Sequence, residues 1–219
     1  MNINKHLILL FSVLFFLFAV SVSSGCFRKN ESDVKSVVRN ELDQLKNLDS
    51  ETTQKYIPYT ELFPDATENT DLTDEINKTF SLFFRKFNYK ISDVIVGTAN
   101  HSATVSVKLT TIDSKVLARD FKAELLRTQI TESAQAQKGN IKDSSRSLEA
   151  HYLILNHLLN TNDYDTAETD CNIQLVNTGN DKKEKWKIQR TNSLEDDLVG
   201  GLIADLADPD ILSPEDTLT

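Results

Sequence analysis

The stretch that most constrains the fold is ATVSVKLTTI, residues 103–112, in which apolar and polar side chains alternate from Ala103 through Thr110. Successive side chains of a strand point to opposite faces, so Ala103, Val105, Val107 and Leu109 face one way and Thr104, Ser106, Lys108 and Thr110 the other. Such a sheet is wet on one side and needs cover only on its other side. Tyr89 to Val96 (YKISDVIV) alternates too, and the intervening GTANHS is rich in turn-forming residues, which predicts an antiparallel hairpin. Thr169 to Val176 (TDCNIQLV), the polar turn NTGNDKKE and Trp186 to Ile188 predict a second hairpin.

Elsewhere the apolar residues recur every three or four positions, the period of a helix with one buried stripe. Ser32 or Asp33 can cap a helix bearing Val34, Val37, Val38, Leu42, Leu45 and Leu48. DSETTQKYI, residues 49–57, predicts a short helix stopped before Pro58, and Tyr59 to Asn69 reads as a loop. From Asp71 or Thr73 a third helix carries Ile76, Phe80, Phe83, Phe84 and Phe87, an aromatic stripe suited to a core. Between the hairpins stand two long helices. Asp113 or Ser114 caps the first, with Leu117, Phe121, Leu125, Ile130 and Ala134; Ser144 or Ser145 caps the second, with Leu148, Tyr152, Leu155, Leu158 and Leu159. Ser193, with Asp196 three residues on, can cap a last helix bearing Leu194, Leu198, Leu202, Ile203 and Leu206, weakened by Gly200 and Gly201.

The amino terminus carries a different message. Lys5 and His6 precede an uncharged apolar run, Leu7 to Val20, of 14 residues, then SVSSG and Cys26. A spanning helix needs about 20 apolar residues to cross a hydrocarbon core of ~30 Å, so the run suits a secretory signal better than a permanent anchor. Ser24 and Gly25 directly before Cys26 resemble the bacterial lipobox, which makes Cys26 the expected lipid attachment point; Ser23 departs from that motif, which usually has Leu there. The expected organisation is a signal peptide at 1–25, a lipidated tether at 26–32, a single α+β domain at 33–206 and an acidic, disordered tail at 207–219. The alternatives for Cys26 are a bystander cysteine after an ordinary signal, or an uncleaved anchor.

Removing residues 1–25 leaves 194 residues, enough for one domain with a sizeable core, and moves the formal charge from −9 to −10. That balance argues against nucleic acid as a partner, because phosphate backbones would repel it. With Cys26 acylated, Cys171 is the one remaining thiol and no internal disulfide can form; inside an alternating strand it reads as a small buried hydrophobe. His151 and His157 are turned about 240° apart on one helix and cannot chelate one metal, and His101 falls in a turn. No cofactor or metal site is expected. Asp93 is the weak catalytic candidate: alternation places it with Tyr89, Ile91 and Ile95, where an apolar pocket would raise its pKa and suit it to act as a base, unless a bulge or the strand edge exposes it.

The order of elements, carried by LKNLDSETTQKYI, by FFRKFNYKISDVIV followed by ATVSVKLTTID, and by KWKIQRTNSLEDDLVGGL, resembles Gram-positive lipoproteins with a nuclear-transport-factor-2-like or polyketide-cyclase-like domain. The resemblance spans nearly the whole mature chain and implies a cone: a curved antiparallel sheet of about four strands packed on helices, with a two-helix hairpin inserted between the strand pairs. It leaves function open. The expectation is a non-catalytic binding or interaction module on the outer face of the cytoplasmic membrane, joined to the bilayer through Cys26 and recognising a small apolar molecule, a peptide or an envelope protein. The alternative is an isomerase or dehydratase using Asp93.

Overall fold

A computed structural model describes residues 30–57, 62, 63, 66, 72–97, 101–136, 147–179 and 184–212. The alternating segments all become strands: β1, Asn88–Val96; β2, Ser102–Ile112; β3, Thr166–Asn177; and β4, Trp186–Ile188. They pair antiparallel in the order β1-β2-β3-β4, in a curved, unclosed sheet packed against helices, the α+β architecture expected. Val105 lies opposite Ile173, Val107 opposite Cys171 and Ala103 opposite Leu175, all buried, so the inner face is a continuous apolar surface. The outer face is a polar ladder: Thr104 bonds Gln174 at 2.9 Å, Ser106 bonds Asn172 at 2.9 Å, and Lys108 pairs with Glu168 and Asp170.

One strand departs from simple alternation. Ile91 pairs with Val107 but Asp93 pairs with Ser106, which leaves Ser92 as the extra residue of a β-bulge. A bulge shifts every later side chain to the opposite face. Tyr89 and Ile91 are therefore half-buried before it, Val94 and Val96 turn inward after it, and Asp93 and Ile95 face water.

The helices are α1, residues 30–46; α2, Ser50–Tyr56; α3, Thr73–Phe83, extended by a 3₁₀ turn at Phe84–Lys86; α4, Ser114–Ala136; α5, Leu148–Thr161; α6, Asn192–Leu198; and α7, Leu202–Ala207. α4 and α5 pack on one another between β2 and β3, as the inserted pair was expected to do. The covered face of the sheet meets a dense aromatic cluster, in which Phe63 lies 5.2 Å from Phe121 and 5.4 Å from Tyr152, and Phe84 lies 5.3 Å from Phe87. The phenylalanines of α3 and its 3₁₀ turn are core residues.

Several boundaries differ from expectation, each for a local reason. α1 is already helical at Asn30, so Ser32 and Asp33 lie within it rather than capping it, and the expected tether overlaps the helix. Leu48 leaves the stripe because it adopts φ 62, the left-handed turn that ends α1, and is exposed. Asp49 then caps α2, accepting from the Thr52 amide at 2.8 Å. α3 begins after Leu72, whose side chain makes no capping bond; Asp71 lies outside the described residues. Asp113 caps α4 through the Lys115 and Val116 amides. Ser147 caps α5; Ser144 and Ser145 lie outside the described residues. Thr191, rather than Ser193, caps α6.

The expected last helix is two. Gly200 and Gly201, at φ 67 and 91, turn the chain through a conformation that side chains disfavour, and Asp196 accepts from the Ile203 and Ala204 amides to cap α7. Within the expected tail, Pro209–Leu212 form a 3₁₀ turn whose Ile211 packs on the core; residues 213–219 lie outside the described residues. At 23 residues, α4 is about 35 Å long and outruns the layer that covers it. Leu117, Ala118 and Phe121 are buried, whereas Ile130 and Ala134, expected in its apolar stripe, are exposed.

Candidate functional site

Val34, Val38, Leu42 and Leu45 are buried and fix the rotation of α1 on the core. That rotation carries Lys35, Arg39, Asp43 and Lys46, spaced four, four and three residues apart, onto a single flank. The flank faces the outer strand β1, whose Asn88, Tyr89 and Ile91 precede the bulge. Between them lies an open cleft of about 320 Å³ lined by these seven residues.

The cleft is tied together at two points. The Tyr89 hydroxyl donates to Asp43 Oδ1 at 2.6 Å and lies 3.4 Å from the Arg39 carbonyl. Burial first, and then the Asp43 carboxylate, push the phenol up to about 12, so it keeps the proton it donates. Lys46 Nζ donates to Asn88 Oδ1 at 2.9 Å. Lys35 and Arg39 enter no ion pair among the described residues. The lining thus holds three cations and one carboxylate, and that carboxylate is already engaged by a neutral donor. In a chain of net charge −9 this is a locally cationic surface.

The residues singled out from the sequence are scattered by the fold. Asp93 is exposed beyond the bulge and outside the cleft, the bulge-exposed arrangement set out for it above and not the apolar pocket a base would need, and its partner across the strand is Ser106. His101 and His157 are exposed. His151 is half-buried, with its ring 4.9 Å from Phe63 and 5.7 Å from Phe121, and its Nδ1 lies 2.8 Å from the Ser147 carbonyl. Burial holds its pKa below the ordinary imidazole range, against the opposing pull of that carbonyl. Cys171 is buried in the sheet, and burial, reinforced by the nearby Asp197, pushes its thiol well above the usual range, which suits a packing residue rather than a nucleophile. Cys26 lies outside the described residues.

Among the described residues, no group of three or more His, Cys, Asp or Glu could hold a metal ion, and no helix is long and apolar enough to cross a membrane. The cationic stripe forms no run in the sequence, because Lys35, Arg39 and Lys46 are separated by apolar, polar and acidic residues. The signal was present in the helical spacing of Lys35, Arg39 and Lys46 beside the buried Val34, Val38 and Leu45, but its strand partners Asn88 and Tyr89 could be supplied only by the fold. The chain matches no protein-family model, and no match was found among curated proteins or solved structures.

Proposed function

We propose that the chain is a bacterial cell-envelope lipoprotein, held on the outer face of the cytoplasmic membrane by a lipid on Cys26, whose nuclear-transport-factor-2-like domain is a non-catalytic binding module. The observation that carries this reading is the junction itself. An apolar leader ends in Ser24, Gly25 and Cys26, and only four residues later the chain is already helical, with Asn30 buried. Four residues reach at most about 14 Å, so a lipid on Cys26 would hold the domain close against the bilayer.

Recognition is assigned to the outer surface. Val105, Leu109, Leu117 and Tyr152 are each at 0% exposure, so the centre of the cone is filled by the protein's own side chains. This favours a peptide, an envelope protein or a headgroup over a small apolar molecule held inside. Metabolic labelling with a radioactive fatty acid, with and without globomycin, tests the anchor: label is expected on the wild type and absent from Cys26→Ser. Equal labelling of Cys26→Ser would refute the reading.

A further inference from the structure

The cleft between α1 and β1 has a chemistry that the anchor does not explain. Lys35 and Arg39 are successive members of one helical stripe and stand at its amino-terminal end; Lys46 closes the other end, oriented by Asn88. Tyr89 donates to Asp43, which satisfies the only carboxylate of the lining and limits its competition for the cations. The guanidinium of Arg39 offers a planar pair of donors and Lys35 a point charge four residues away on the same face, a combination suited to the oxygens of a phosphate group. An open mouth admits a group that remains attached to a larger body.

Position narrows the ligand. Lys35 is five residues into the described part of α1, about 7.5 Å along the helix axis from Asn30. Cys26 precedes Asn30 by four residues, so the Lys35 and Arg39 end of the cleft is the end close along the chain to Cys26. With a net charge of −9 on the whole chain, an approach to anionic headgroups is otherwise unfavourable, and this flank is where the sign is reversed.

We propose that the α1–β1 cleft is a binding site for a phosphate-bearing anion, namely the phosphodiester of an anionic lipid headgroup, held by Lys35, Arg39 and Lys46. The membrane as the source of the phosphate rests on the envelope reading above; the anion site itself does not depend on acylation of Cys26. Occupancy of the cleft sets which face of the domain lies on the bilayer.

The test uses the full chain in nanodiscs, observed through the ¹³C-methyl signal of Ile91, which lines the cleft, with the buried Ile173 as a reference for the intact fold. Three conditions are compared: discs of phosphatidylcholine alone, the same discs with inorganic phosphate added, and discs with a rising fraction of phosphatidylglycerol. The expected result is a saturating shift of Ile91 with phosphatidylglycerol, none of Ile173, and little response to inorganic phosphate. In the Lys35→Gln, Arg39→Gln double variant the phosphatidylglycerol response should weaken about thirtyfold, the order expected for two cations at an anionic surface. An equal response to inorganic phosphate in phosphatidylcholine discs, lost in the variant, would support the anion site and overturn the headgroup as its ligand. No shift of Ile91 under any condition, or a variant that responds like the wild type, would overturn the site. The mass of the chain recovered from the discs reports acylation of Cys26 separately, so failure of the anchor and failure of the cleft are distinguishable.

Discussion

Gly200 is where a single methyl group should do the most damage relative to its size. Its φ of 67 lies in the left-handed region, and a Cβ built there would stand 2.2 Å from Thr111 Oγ1 and 3.2 Å from Thr111 Cβ. Thr111 cannot step aside easily: it is 1% exposed, sits in the central strand β2, and its hydroxyl donates to the Ile112 carbonyl at 3.2 Å. The left-handed backbone costs a side-chain-bearing residue about 1–2 kcal/mol. Forcing a methyl into a filled site adds about 1–3 kcal/mol, so Gly200→Ala should lose roughly 2–5 kcal/mol. The neighbouring Gly201 separates the two causes. Its φ is 91, but the atoms nearest an added Cβ are 3.7 and 3.8 Å away, so Gly201→Ala should bear the backbone cost alone, about 1–2 kcal/mol. Adding Thr111→Ala to Gly200→Ala removes the 2.2 Å contact and should return part of the loss, a coupling that a double-mutant cycle isolates from the cost of Thr111→Ala itself. Denaturant unfolding followed by the fluorescence of Trp186, the sole tryptophan and a buried one, supplies the free energies. If Gly200→Ala and Gly201→Ala fall within about 0.5 kcal/mol of each other, or the cycle shows no coupling, the steric reasoning is wrong.

Three further outcomes are expected. His151 is held below its ordinary range by burial, so the unfolded chain takes up the proton first; its contribution to stability is complete above about pH 6.5 and is lost as the pH falls from there toward the folded-state pKa. His151→Phe should flatten that part of a plot of Tm against pH, and an unchanged slope would assign it to other groups. Arg190 donates through Nε and Nη2 to Glu195 Oε1, and Glu195 is 4% exposed. Arg190→Ala should cost about 2–3 kcal/mol in denaturant unfolding, less than a fully enclosed pair because the arginine side chain is 44% exposed. Finally, Cys171 should react with a thiol reagent at mildly alkaline pH only as fast as the fold opens. The native processed chain should therefore show no rapidly reacting thiol, whereas a rapid one would indicate a free Cys26.

The parts of the fold visible in the sequence are those where one periodicity runs without interruption. Ala103 to Thr110 alternates cleanly, with buried and half-buried positions in the order read from it; Ile76, Phe80, Phe83 and Phe84 recur helically and are buried. The less legible places are those where a single residue changes phase. Ser92 adds one position to β1, which no composition rule marks, and thereby moves Asp93 and Ile95 to the opposite face. Leu48, Gly200 and Gly201 take positive φ, ending or dividing helices whose apolar spacing continues through them. Ile130 keeps the helical period, but α4 has outrun its cover, a fact about the neighbouring layer and not about α4. The cleft was legible by half: the stripe on α1 is local, while its pairing with Asn88 and Tyr89 joins residues more than forty positions apart.

Under the anchored arrangement proposed above, the bulge at Ser92 bears on copies of the protein that share a membrane. β1 is the edge of the sheet, and an edge strand offers unpaired backbone groups to any other edge it meets. Molecules confined to two dimensions encounter one another far more often than the same number free in solution, which makes open edges more dangerous on a membrane than away from one. A strand kinked at its midpoint, with Lys90 and Asp93 presented to water on either side of the kink, cannot be matched in register by a second copy of itself. The residue that removed Asp93 from the interior would thereby let the domain be crowded without polymerising.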